Sequence, residues 1–221
     1  MTAAATTAMP VRADAAHDPV TVYRDDGPLA RALGRLLSPW LRLPAPVLLL
    51  AGVAPLLAGA ATWGGRVSLG VAAGVLAWAI VLGGASRGRP GQLKTRWSEA
   101  PLLRLAEYGG LLWIAALEGA GTYPAAFALL GALAFRHYDL TYRLRHRAAT
   151  PARWVDALAG GWDGRLVAGF VLLAAGALPA GYFVAAAVLG ALFVGESVLG
   201  WMRAARGPAS EEYESGEDDD A

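Results

Sequence analysis

From Ala45 to Trp201 the chain runs in apolar blocks of about 18 to 22 residues, the length an α-helix needs to cross a hydrocarbon core of about 30 Å. A helix on the surface of a soluble domain carries a polar face, and these blocks carry almost none. We place six spans, at 45–63, 67–85, 105–121, 123–142, 166–178 and 180–201. The whole chain is 56% hydrophobic and 17% charged, where an ordinary soluble domain is about a quarter charged. The expected fold is all-α and integral to the membrane, with six transmembrane helices behind an N-terminal amphipathic helix on the inner leaflet. The expected divisions are a disordered tail at 1–20, an amphipathic interfacial segment at 21–43, a six-span membrane domain at 44–203 and an acidic disordered tail at 204–221.

Charge sets the orientation. The joins at Gly64–Gly65, Gly119–Thr122 and Leu178–Pro179 are short and nearly uncharged. The loop after the second span holds Arg87, Arg89, Lys94 and Arg96, and the loop after the fourth holds Arg143, Arg145, Arg147 and Arg153. With the N-terminus inside, Arg66 alone of the 19 basic residues falls outside, the asymmetry that the positive-inside rule demands. The expected location is the cell's inner (plasma) membrane, multi-pass, with both termini cytoplasmic. In residues 30–43 Arg31, Arg35 and Arg42 interleave with Leu33, Leu36, Leu37 and Trp40, a pattern suited to a helix lying in the interface. The first twenty residues lack the charged-then-apolar order of a signal peptide. Seven acidic residues between Glu211 and Asp220 read as a solvated tail.

Ionisable groups at membrane depth are costly and are the first place to look for function. Glu107, Arg136, His137, Asp139, Arg143, Asp156, Asp163, Arg165 and Glu196 all fall near the cytoplasmic boundary, and Glu118 near the opposite one. Asp139 and Arg143 are four apart, so they share a helix face. One reading is a polar cavity reached by water, the other a set of carboxylates neutralised by arginines. The candidate catalytic carboxylates are Glu107, Asp139, Asp163 and Glu196. Asp26-Gly-Pro-Leu-Ala-Arg31 spells DGxxAR and Asp163-Gly-Arg165 a shorter echo. Neither has further carboxylates at helical spacing, so both read as turns that open a helix. There is no cysteine, which excludes disulfides and thiolate chemistry. His17, His137 and His146 lack zinc-ligand spacing, and no phosphate loop, dinucleotide fingerprint or nucleophile elbow occurs. Tryptophans 63, 78, 113, 162 and 201 lie near or within spans; interfacial belts explain several of them, and no cofactor site is read into them. The runs Gly70–Gly74 and Gly190–Gly195 permit close helix approach, inside one bundle or between two copies.

The stretch from Ala85 to Tyr108 carries a resemblance. It reads Ala-Ser-Arg-Gly-Arg-Pro-Gly-Gln-Leu-Lys-Thr-Arg-Trp-Ser-Glu-Ala-Pro-Leu-Leu-Arg-Leu-Ala-Glu-Tyr. Gly91-Gln-Leu93 resembles the central glycine of the CDP-alcohol phosphotransferase signature, and Arg104 with Glu107-Tyr108 resembles its tail. The resemblance implies six spans behind an interfacial helix, and a fold that transfers a phospho-alcohol from a CDP-linked donor using two divalent cations. Here the signature's leading aspartates fall on Arg87 and Pro90 and its last on Leu103, leaving Glu99 as the one acid. Arginine and proline do not ligate Mg²⁺, so no metal site and no resident cofactor are expected. Residues 24–203 also resemble uncharacterised actinobacterial membrane domains found beside or fused to such enzymes.

The expectation is therefore a non-catalytic or diverged relative, involved in phospholipid metabolism. It would bind an anionic lipid, a phospho-ligand or a partner enzyme at the cytoplasmic face through Arg87, Arg89, Lys94, Arg96, Arg104, Arg136 and Arg143. The expected partners are membrane lipids, a membrane phosphotransferase or a second copy, and no nucleic acid. Two alternatives remain open: an active, Mg²⁺-dependent phosphotransferase of phospholipid or glycan-lipid synthesis, and a small transporter.

Overall fold

The computed structural model describes residues 19–62, 67–87, 96–146 and 153–205. They form α1 (Pro19–Arg24), α2 (Pro28–Leu37), α3 (Ala45–Thr62), α4 (Leu69–Ala85), α5 (Glu99–Glu118), α6 (Tyr123–His146), α7 (Arg153–Ala159), α8 (Gly161–Ala174) and α9 (Leu178–Ala205). The fold is all-helical, with no strand among the described residues. Residues 1–18 and 206–221 of the expected tails and the positions Arg66, Arg89, Lys94 and Arg147 lie outside the described residues, as does the side chain of Arg96; residues 19–20 and 204–205 of those tails are helical, in α1 and α9.

Each of the six apolar blocks holds one helix. Among the described residues, three segments are long and apolar enough to cross a membrane: Glu99–Glu118, Leu178–Arg203, and Trp154–Ala174, which a turn at Gly160–Gly161 divides into α7 and α8. Ala45–Ala61 and Leu69–Ala85 are shorter apolar helices.

Several boundaries depart from the sequence expectation, for a common reason. α5 starts at Glu99 rather than 105, α8 at Gly161 rather than 166, and α6 runs on to His146. Charged residues that seemed to close the apolar runs are paired with one another, so the helices continue through them. At the other end of α8, Gly176 adopts φ +65° and the amide of Ala177 reaches back to the carbonyl of Leu172 at 2.9 Å. That left-handed closure stops the helix at Ala174, before the expected 178. Gly119, at φ +130°, closes α5 and leads into α6.

The core is built from Leu56, Leu103, Leu111, Ile114, Leu133, Leu166 and the large rings of Trp113, Trp162 and Tyr182. Trp113 and Trp162 are therefore core residues, while Trp78 and Trp201 are about half exposed. The helices approach closely at glycines other than the two runs singled out. A Cβ on Gly83 would fall 2.6 Å from the Trp162 ring, whereas Gly74 and Gly195 face open space and Gly190 has only Ala132 at 3.7 Å. The outer surface stays apolar: Phe127, Val171, Phe183, Val184, Val188 and Val198 are all more than half or about half exposed. α9 packs mainly along α6, and its membrane-length window is only 11% buried.

Candidate functional site

The charged residues of different helices meet at one end of the bundle. They come from the α1–α2 turn, the end of α4, the start of α5, the second half of α6, α7, the start of α8 and the second half of α9. Chain direction alternates along this series, so only one end can collect them.

The centre is the turn Arg24-Asp25-Asp26-Gly27. Asp25 takes the left-handed conformation, φ +50°, which turns its carboxylate and that of Asp26 to different partners. Asp26 accepts from Arg24 Nε at 2.9 Å and from Trp162 Nε1 at 2.9 Å. Arg24 also donates to Glu99 at 2.6 Å, to the Ser86 hydroxyl at 3.1 Å and to the carbonyl of Gly83 at 3.0 Å. One guanidinium thereby ties α1, α4 and α5 together. Asp25 faces Arg165 at 2.6 Å. Burial works against its charge, but Arg165, helped by His137 and Arg104, overcomes it and holds the Asp25 carboxyl well below the usual range.

Glu107, fully buried on α5, is clasped by Arg165 from α8 at 2.5 Å and by Arg104 from its own helix at 2.6 Å. Arg104 also donates to the carbonyls of Tyr23 and Arg24, both at 2.9 Å. Tyr108 Oη lies 2.7 Å from His137 Nδ1, and His137 Nε2 points at Asp25 and Glu107 from 3.6 and 4.0 Å.

Asp163 does something different. Its carboxylate, wholly buried, accepts from the amides of Gly27 at 2.6 Å, Leu29 at 2.9 Å and Ala30 at 3.1 Å. It is an N-cap for α2 supplied by a residue 136 positions away, meeting the amides that the first turn of a helix leaves unpaired. This contact requires backbone against backbone. A Cβ on Gly27 would lie 2.1 Å from the Gly160 carbonyl oxygen, and one on Gly161, itself at φ +67°, would lie 2.2 Å from the Gly27 nitrogen.

A second pairing group joins α6 to α9. Arg143 binds Glu196 at 2.7 Å and Asp139 at 2.8 Å, and Ser197 donates to Asp139 at 2.9 Å. Arg136 pairs with Asp156 of α7 and lies over the Phe193 ring, 4.8 Å from its centre. Glu118 is exposed at the far end of α5.

The structure thus brings Glu107, Arg104 and Arg136 close to one centre, sets Asp139, Arg143 and Glu196 in a neighbouring one, and turns Asp163 into a cap. Arg87 lies at the edge, 3.8 Å from Asp26 and about a third exposed. Sequence reading missed Arg24, Asp25, Asp26 and Glu99 as members. The available signal was three ionised residues in a row followed by glycine, directly before an amphipathic helix. The Mg²⁺ pair that the phosphotransferase resemblance implies does not fit: guanidinium groups stand between these carboxylates, and no group of three or more ligands poised for a metal occurs among the described residues.

The fold and site define an all-helical, apolar-surfaced protein with membrane-length helices and a buried ionic cluster at one end. The chain belongs to DUF5941, a family of unknown function, whose model matches residues 14–219. No curated protein and no solved structure matches it.

Proposed function

We propose that this chain is a six-span membrane protein of in/in topology whose ionic end faces the cytoplasm. In this reading it is a non-catalytic, diverged relative of the CDP-alcohol phosphotransferases that binds a phosphate-bearing lipid or a partner enzyme there. The observation that carries the reading is the state of the carboxylates. Asp25, Asp26, Glu99, Glu107, Asp139, Asp156 and Glu196 each face an arginine, and Asp163 is taken by backbone amides. A two-metal transferase needs convergent carboxylates free to ligate, and this arrangement spends them on holding helices together. Breaking any such pair leaves a buried charge, which is strongly destabilising. Among the arginines expected to take phosphate, Arg104, Arg136 and Arg143 are committed inward, and Arg87 is left at the surface.

The test is thermal unfolding of the detergent-solubilised protein with CDP-diacylglycerol, with and without Mg²⁺. A ligand at about 100 times its dissociation constant stabilises the folded state by about 2.7 kcal/mol. Stabilisation without Mg²⁺ is the expected result. Stabilisation that requires Mg²⁺ would overturn the non-catalytic reading in favour of an enzyme. No shift in either condition would remove the CDP-lipid and leave the partner enzyme, which co-purification then tests.

A further inference from the structure

α2 has three distinct sides. Ala30 and Gly34 are buried against α4, Leu29 and Leu36 are exposed apolar residues, and Arg31 and Arg35 are exposed on the remaining side. Just beyond the helix, Trp40 is 83% exposed. Arg87, which follows α4, runs its side chain across α2 at Gly34: a Cβ on Gly34 would lie 2.9 Å from Arg87 Cβ and 3.2 Å from its Cδ. The side of α2 that Arg87 crosses adjoins the side carrying Arg31 and Arg35, and the charges of both act on the Arg87 guanidinium.

Among the described residues two carboxylates act on these cations, Asp26 at 3.8 Å from Arg87 and Asp156 on Arg31, and both already have another arginine. The helix Pro28–Leu37 contains no acidic residue. Arg31 Nε donates to a carbonyl, that of Asp26, at 2.8 Å. The Asp26 carboxylate facing Arg87 is already held by Arg24 and Trp162. Arg31 and Arg35 are also a like-charge pair four apart, an unfavourable spacing on a helix. Burial lowers the Arg87 pKa; Asp26 opposes that, and Arg31, Arg24 and Arg35 add to it. Cations held together against their own repulsion, beside exposed leucines and a tryptophan that suit a membrane interface, match an anion at headgroup depth. Guanidinium groups fit phosphate oxygens in pairs.

We propose that Arg31, Arg35 and Arg87 form a binding site for the phosphate of an anionic phospholipid in the leaflet on which α2 lies. The site rests on the membrane reading above. It adds Arg31 and Arg35 to the arginines that the sequence alone suggests for phosphate, and it needs no nucleotide.

The experiment is native mass spectrometry of the full chain in detergent, titrated with phosphatidylglycerol, phosphatidylcholine or inorganic phosphate. The wild type, Arg31→Gln, Arg35→Gln, Arg87→Gln and Arg203→Gln are compared. Arg203 is exposed near the end of α9 and controls for loss of one charge. The site predicts retention of phosphatidylglycerol over phosphatidylcholine, weakened about tenfold by each of the first three substitutions and unchanged by Arg203→Gln. Equal retention of the two lipids, or equal loss with Arg203→Gln, would overturn it. So would inorganic phosphate displacing the lipid at equal concentration, which would mark a free-anion site. A carbonate wash of native membranes separates the two failures: release of the protein refutes the membrane reading, while retention without lipid selectivity refutes only this site.

Discussion

Asp163→Ala gives the clearest energetic test of how the ionic end is held. The carboxylate serves three amides, and two of their residues, Gly27 and Ala30, are buried. A buried donor left without an acceptor costs about 1–3 kcal/mol, so two of them cost about 4 kcal/mol, with the half-exposed Leu29 amide free to turn to water. Asp163→Asn keeps one acceptor oxygen and should lose about half as much. At about 2–4 °C per kcal/mol for a chain of this length, the alanine variant should melt about 8–16 °C below wild type. Thermal unfolding in detergent reads the total, and hydrogen exchange reads the place: the amides of Gly27, Leu29 and Ala30 should exchange faster in the variant while those of α9 do not. A drop under about 3 °C, or an asparagine variant no better than the alanine one, would refute the capping argument.

Other consequences can be read in the same assay. Gly161→Ala should prevent folding or destabilise more than Asp163→Ala, because its Cβ meets the Gly27 backbone at 2.2 Å; Gly176→Ala, also left-handed but facing open space, should lose only about 1 kcal/mol. Arg165→Met removes the nearest partner of Asp25 and leaves Glu107 to Arg104 alone, and should cost about 3–5 kcal/mol, and adding Glu107→Gln should recover part of it; a neutral single variant would sink the claim that this pair is a structural tie. The Asp25 carboxyl is held below its unfolded value of about 3.9. Its contribution is therefore complete above about pH 4 and lost below, where the unfolded chain takes up the proton first. Melting temperatures across this range should fall with acid, and Asp25→Asn should flatten the slope.

Much of the helical layout is legible in the apolar blocks, since each block holds one helix. The ends were misplaced wherever paired charges lie inside a helix. Glu99, Asp163 and Arg165 look like boundaries in one dimension and are buried contacts in three, and the part-buried Arg104 joins them. The i,i+4 relation of Asp139 and Arg143 was readable because it is local, and their ion pair is present. Their further partner Glu196, 53 positions from Arg143, was not readable, nor was Arg24 with Glu99 across 75. The DGxxAR string does open a helix, as its turn chemistry implied, but nothing local shows that a distant aspartate caps it. Which of the tryptophans belong to a belt and which, like Trp113 and Trp162, to the core is not legible, because position along a span does not reveal which side of a helix faces the bundle.

The central claim is a six-span chain with the ionic end inside, and the absence of cysteine makes it directly measurable. Single cysteines at Arg66, Gly121 and Ala177 on one side, and at Arg35, Arg145 and Arg203 on the other, can be probed in intact cells with a membrane-impermeant maleimide and again after permeabilisation. The account predicts labelling of the first three in intact cells and of the second three only after permeabilisation. Labelling of Arg145→Cys or Arg203→Cys in intact cells, or protection of Gly121→Cys and Ala177→Cys until the membrane is opened, would contradict both the span count and the orientation.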